Sequence, residues 1–247
     1  MANKGKYYES QFEEATIELL REAHWQYTLG DDIHRKYTDP LIEEDLRNFL
    51  AVQYKDKNLT TSEMDGIVAN LRNTGGQNDY YALRNAFLLY RDGYDFAYSD
   101  SRDNPFRMEY IDFEHPDHNI FRCVNQFVMG QGRENRRPDI LLFINGIPVC
   151  IIELKNPTKQ NATIRDAHTQ ICTRYMRDIP ALLKYCALAV ISDGAKNALG
   201  TTYTPFEFFY EWKKIENEDK AGKGLDTLRT LIRGALSPER ILEILRD

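Results

Sequence analysis

Three charged residues interrupt an otherwise apolar block of this chain: Asp139 near its start, Glu153 and Lys155 at its end. The block, RPDILLFINGIPVCIIELK over residues 137–155, reads as two strands joined at Asn145-Gly146, a pair that accepts the positive φ values of a two-residue hairpin. Ile, Leu, Val and Phe on both faces place that hairpin centrally in a sheet. In an antiparallel hairpin the start of one strand lies beside the end of the other, so the three charges converge at one rim. Glu153 and Lys155 are two apart and share a face. Two carboxylates a few ångströms apart repel each other unless a cation sits between them, and oxygen-only ligation suits a hard ion such as Mg²⁺. Such an ion can activate water and stabilise charge on a phosphate undergoing in-line displacement. The lysine can orient or deprotonate that water, or neutralise the developing charge. A surface ion cluster capping two strand ends is the plainer alternative.

Pro138-Asp139 followed by Glu153-Leu154-Lys155 resembles the PD-(D/E)xK nuclease signature. The longer string RRPDILLFINGIPVCIIELKNP closely resembles the nuclease domain of the restriction subunit of type I restriction-modification enzymes. The resemblance implies an α/β, restriction-endonuclease-like fold: a mixed central sheet flanked by helices, with a helical N-terminal part. It also implies a Mg²⁺-dependent endonuclease (Mn²⁺ substituting) that cleaves double-stranded DNA, with Asp139 and Glu153 as metal ligands and Lys155 positioning or activating the water. FEEATIELL resembles the N-terminal helix that brings a further acidic ligand in such enzymes, which assigns Glu13 to the metal, with Glu9 next in line. On the helix after the lysine, RecB-like relatives carry a glutamine and a tyrosine about one turn apart. Gln170, Arg174 and Tyr175 resemble that element, with Gln170 orienting the site, although Tyr175 falls one position later than the usual i, i+4 spacing. The implied partners are DNA and the methylation and specificity subunits, in the cytoplasm, with ATP used only by a full-length subunit.

The elements that must position these residues are readable in part. Residues 9–23 form an amphipathic helix with Ser10 as a candidate cap. From Tyr27 to Asp100 the pattern is mostly helical, with helices over 42–54, 61–73 (capped by Thr61 or Ser62) and 79–93. Its aromatic residues, Tyr80, Tyr81, Phe87, Tyr90, Tyr94, Phe96 and Tyr98, fit a packed core better than base-stacking platforms. FRMEYIDF (106–113) and NIFRCVNQFVMG (119–130) alternate as strands of a meander leading into the hairpin. Between them His115-Pro-Asp-His118 has metal-like spacing, but Pro116 indicates a turn and no third ligand follows, so these read as loop histidines. Residues 163–185 form a long helix broken at Pro180. CALAVISDG (186–194) is a buried strand parallel to a neighbour, and 200–212 an aromatic strand. The expected division is a nuclease domain over 1–215, helical to about residue 100, then a link and two helices over 216–247 leading toward a helicase motor.

Composition sets the limits. A formal net charge of −6 over 247 residues is unlike a free-standing DNA binder. The basic residues that do exist cluster around the motif: Arg133, Arg136, Arg137, Lys155, Lys159, Arg174 and Arg177. Arg137, Lys159, Arg174 and Tyr175 are the candidates for phosphate contact. No apolar run reaches the roughly 18 residues needed for a membrane span, and the N-terminus lacks a signal-peptide core. Four cysteines without C-x-x-C spacing fit reduced core positions. No GxxxxGK[ST] loop is present, so these residues alone do not hydrolyse ATP. Two other classes fit the same residues: an idle nuclease fold used for docking or DNA binding, and a free-standing RecB-like repair nuclease.

Overall fold

The computed structural model describes residues 3–100, 103–130, 135–155, 163–215 and 224–247, the side chains of residues 3–9 excepted. Helix α1 (Asn3–Glu22) leads into strand β1 (Gln26–Leu29), followed by α2 (Glu43–Gln53), α3 (Thr61–Asn73) and α4 (Asp79–Asp92). Then come β2 (Tyr94–Phe96), β3 (Phe106–Met108), β4 (Phe121–Asn125), β5 (Ile140–Ile144) and β6 (Ile147–Leu154). Helix α5 (Ile164–Thr169) runs into a π-helical turn (Gln170–Tyr175), α6 (Met176–Asp178) and α7 (Pro180–Leu183). Strands β7 (Leu188–Ser192) and β8 (Asn197–Gly200) complete the sheet. The C-terminal part holds α8 (Leu225–Leu231), a second π-helical turn (Ile232–Leu236) and α9 (Pro238–Arg246).

Six strands form one mixed sheet in the order β1-β4-β5-β6-β7-β8, with helices on both faces, the expected restriction-endonuclease-like arrangement. The β5–β6 hairpin lies at its centre and every residue of both strands is buried. Asn145 (φ 50°) and Gly146 (φ 76°) make the turn. A side chain at Gly146 would meet the Ile42 carbonyl oxygen at 2.1 Å, so the turn packs against α2 only because residue 146 has none. Ile140, Leu142 and Ile144 face one core, shared with α1 to α4 and the C-terminal helices, whereas Leu141 and Phe143 face a second core under α5 to α7.

A β-bulge sets the register that matters. Ile144 pairs with Ile147 and Phe143 with Pro148, but Leu142 pairs with Cys150, leaving Val149 as the extra residue. Ile140 therefore lies opposite Ile152, and the next pair outward is Asp139 and Glu153. Cross-strand neighbours share a face, so the bulge aims both carboxylates at the α5 side; without it Asp139 would face Ile152.

Several expectations need correction. Gln26–Leu29 is not helical but an edge strand, parallel to β4. Phe106–Met108 pairs with Tyr94–Phe96 in a separate two-stranded sheet, so only β4 of the expected meander reaches the hairpin. The expected strand over 200–212 does not form: Gly200 is the last residue of β8, Phe206–Phe208 is a short 3₁₀ turn, and Tyr210 makes a single bridge to Leu199. Ser10 lies inside α1 rather than at its cap, and α3 is capped by Thr60 in a capping box with Glu63. Of the aromatic residues expected in the core, Tyr80 and Tyr81 are exposed. The long helix does break before Pro180, and β7 pairs parallel with β6 through that crossover. Cys123, Cys150 and Cys186 are free and buried, and burial raises each thiol pKa. No helix among the described residues is long and apolar enough to cross a membrane.

Candidate active site

The charged rim expected from the hairpin forms. Asp139 immediately precedes β5, and its Oδ2 accepts a hydrogen bond from the Leu154 backbone N–H at 2.7 Å, which ties the entry of one strand to the exit of the other. Glu153, 1% exposed, accepts from Lys155 Nζ on Oε1 at 2.7 Å. The lysine side chain is 13% exposed, and its backbone N–H donates to the Ser192 carbonyl at 2.8 Å, extending the β6–β7 ladder by one residue. Lys155 Nζ also donates to Gln170 Oε1 at 2.7 Å. The glutamine's other end, Nε2, donates to Tyr175 Oη at 2.7 Å, and that hydroxyl in turn donates to the Arg137 carbonyl at 3.4 Å. A chain of side chains thus runs from Glu153 through Lys155, Gln170 and Tyr175 back to the backbone just ahead of Asp139.

The π-helical turn explains how Tyr175 joins that chain. In an α-helix residues four apart share a face, and Tyr175 is five beyond Gln170. A π turn, bonded i to i+5, adds the missing residue and restores the alignment. The late tyrosine, ambiguous in sequence, is brought to the glutamine by backbone geometry. Arg174, at the expected four-residue spacing, is exposed instead.

The electrostatics follow from burial. Glu153 has its pKa pushed up to about 8, first by desolvation and then by the neighbouring charge of Asp139, with Lys155 acting in the opposite sense. Its second oxygen, Oε2, is buried without a hydrogen bond of good geometry; the Tyr175 hydroxyl acts on the carboxylate only as the smallest of the influences that lower its pKa. A buried carboxylate oxygen left unpaired beside a second carboxylate is a costly arrangement for a chain that gains nothing from it. Tyr175 also has its pKa raised, by burial and then by the charge of Glu153.

Glu13 projects from α1 to the same end of the sheet. Its Oε1 accepts from Asn125 Nδ2 at 2.7 Å and Gln126 Nε2 at 2.9 Å, and Asn125 pairs with Ile140, one residue from Asp139. Gln126 adopts φ 56° to reach it. Neither amide is signalled by periodicity, so sequence pattern does not reveal this support for Glu13. Nothing is described of the Glu9 side chain, and Lys159 and Arg133 lie outside the described residues. Arg137 is exposed beside the site. Arg136 and Arg177 are instead committed to Asp178, at 2.7 and 2.6 Å.

Comparison with known proteins gives the family of the chain. Residues 6–208 match the family described as type I restriction enzyme R protein N terminus. The HindI type I restriction enzyme endonuclease subunit of Haemophilus influenzae is 29% identical over 250 residues, covering 96% of this chain and 23% of that protein. The EcoprrI type I restriction enzyme endonuclease subunit of Escherichia coli is 30% identical over 133 residues, covering 50% of this chain and 40% of that protein. The chain therefore spans less than half the length of these relatives. Its match over most of its own length shows that it belongs to the family of type I restriction enzyme R protein N termini.

Proposed function

We propose that this chain is the endonuclease domain of a type I restriction enzyme R subunit and hydrolyses phosphodiester bonds of double-stranded DNA with Mg²⁺. The observation that carries the reading is the buried Oε2 of Glu153, without a hydrogen bond and under the charge of Asp139, with Lys155 held on the other oxygen of Glu153. These oxygens suit a hard divalent cation, which would relieve their repulsion. Asp139 and Glu153 would hold it, with Glu13 as a third carboxylate. Bound there, Mg²⁺ supplies a Lewis acid that acidifies water and screens phosphate charge.

The remaining work belongs to the chain's own residues. Lys155 presents its ammonium to the reacting phosphate, where it orients the attacking water and offsets developing negative charge. Gln170 takes one of the three Nζ hydrogens and so fixes the ammonium's direction. Tyr175 fixes Gln170 in turn. Arg137 and Arg174, with Lys159, contact the DNA backbone near the cut. Target choice and ATP-driven translocation come from the specificity and methylation subunits and from the rest of the R subunit, in the cytoplasm.

The test is conversion of supercoiled plasmid to nicked and linear forms, by the chain and by the assembled enzyme with ATP. Asp139→Ala and Lys155→Ala should each lower metal-dependent cutting at least about a hundredfold, the usual cost of losing a positioned catalytic group. Cutting at the wild-type rate by Lys155→Ala in the assembled enzyme would remove the assignment.

A further inference from the structure

The loop histidines acquire a third donor in three dimensions. Asp112 lies upstream of His115 and His118, and the fold points its carboxylate at both rings. Oδ2 is 3.3 Å from His115 Nδ1 and 3.0 Å from His118 Nδ1, and the three donor atoms all lie within 4.8 Å of one another. Around a tetrahedral zinc with bonds near 2.0–2.1 Å, ligand atoms sit roughly 3.3 Å apart. Both aspartate–histidine distances already match such an edge. The two imidazoles stack with centroids 4.8 Å apart at 20°, and their donor atoms, no more than 4.8 Å apart, need approach by at most about 1.5 Å to complete the third edge.

The support around these residues is what a metal ligand needs. The Asp112 side chain is 6% exposed, while those of His115 and His118 are 63% and 50% exposed. Its Oδ1 accepts from the backbone N–H groups of Glu114 and His115, and Gln53 Nε2 donates to Oδ2 at 3.0 Å. The carboxylate is thus oriented before either imidazole is counted, and hydrogen bonds of this kind behind a ligand fix its direction. Pro116 opens the 3₁₀ turn Pro116–His118 that sets the spacing of the histidines. The backbone of Asp112 is gripped by Asn119, which bonds both its N–H and its carbonyl. Asn119 Oδ1 also accepts from Asn145 Nδ2 at 2.8 Å, so the loop hangs from the turn of the β5–β6 hairpin. That turn is at the opposite end of the hairpin from Asp139 and Glu153.

We propose that Asp112, His115 and His118 form a zinc site, with two imidazole nitrogens and one carboxylate oxygen as ligands and the fourth position facing solvent. Nitrogen donors select a borderline ion such as Zn²⁺ over Mg²⁺, which sets this site apart from the all-oxygen donors at the other end. Bound zinc would clip the 112–118 loop to the hairpin turn. This inference does not depend on the nuclease reading.

The test titrates Zn²⁺ into the metal-stripped chain against a competing chromogenic chelator. Three proteins are compared: wild type, the double variant His115→Ala/His118→Ala, and the double variant Asp139→Ala/Glu153→Ala. Both histidines are surface residues, so the first double variant should keep its circular dichroism spectrum. The expected result is one tightly held equivalent in the wild type and the carboxylate variant, missing from the histidine variant. Gln53→Ala should weaken binding roughly tenfold, the cost of losing a partner that orients a ligand. Cobalt should give the visible bands of a four-coordinate site in the wild type and not in the histidine variant. No zinc bound by the wild type, or the same stoichiometry in the histidine variant, would overturn the proposal.

Discussion

A buried carboxylate whose pKa reaches about 8 makes Glu153 the residue whose protonation state couples stability to cation binding. In the unfolded chain it titrates in the usual range near 4.5. Between these values the folded state holds more protons than the unfolded one, so the stability associated with neutral Glu153 is complete below about pH 4.5 and drains away as pH rises toward 8. Glu153→Gln removes that dependence while leaving an oxygen for Lys155. The metal-stripped variant should therefore exceed wild type in stability at pH 8 by on the order of 4 kcal/mol and match it near pH 4.5, as measured by denaturant unfolding across pH. Wild-type affinity for Mn²⁺ should fall about tenfold per pH unit below 8, since the proton competes for the same oxygens. A difference independent of pH would mean that Glu153 is ionised and compensated in some other way. The convergence of Asp139, Glu153 and Lys155 at one rim is legible in the sequence because charges set at the ends of an apolar hairpin are brought together by its antiparallel pairing. The environment of Glu153 is not, because the depth of a strand end depends on what packs over it.

The elements around the site differ in how far sequence pattern reveals them. The hairpin is readable because both of its faces are buried and Asn145-Gly146 permits one kind of turn. β1 is hidden because its four residues, QYTL, carry too little alternation to register, and its place comes from parallel pairing with β4. The expected strand at 200–212 misleads because its aromatic residues pack elsewhere: Phe206 and Phe209 meet the His168 ring edge-on, at centroid distances of 5.6 and 5.1 Å. The π turn is signalled only indirectly, by a tyrosine one position late. If its role is to align Gln170 with Tyr175, removing the extra residue should be tolerated. Deletion of exposed Thr173 would return the segment to α-helical bonding with the pair four apart, still on one face. Plasmid cutting by the deletion variant should stay within about threefold of wild type, whereas Tyr175→Phe, which loses about 1 kcal/mol of hydrogen bonding, should cut roughly fivefold more slowly. If the deletion costs more than Tyr175→Phe, the turn serves something other than this alignment.

At the scale of the whole molecule, packing extends past the matched family region, which ends at residue 208. Amphipathic helices near the C-terminus are readable, but their destination is not, since a stripe of leucines does not say which surface it covers. Leu228, Leu231, Ile232, Leu236, Ile241, Leu242 and Leu245 are buried in the same core as α1 and the hairpin. The contact is specific as well as apolar. Trp25 donates its indole N–H to the Leu236 carbonyl at 2.7 Å and stacks edge-on against Phe121 at 5.5 Å. Gly234 lies so close to Trp212 that a side chain there would meet the indole nitrogen at 2.2 Å. Each buried leucine or isoleucine contributes roughly 2 kcal/mol, and together they rival the net stability of about 5–15 kcal/mol typical of a domain. Ending the chain after Ile215 would remove all seven and bare Trp25 and the sheet face beneath them. The shortened protein should bind a hydrophobic dye strongly and lose cooperative thermal unfolding, although Asp139, Glu153, Lys155, Gln170 and Glu13 all remain. Cooperative unfolding at the temperature of the intact chain would make the terminal helices an appendage. Otherwise, the charged rim needs residues from both ends of the sequence to hold the sheet that presents it.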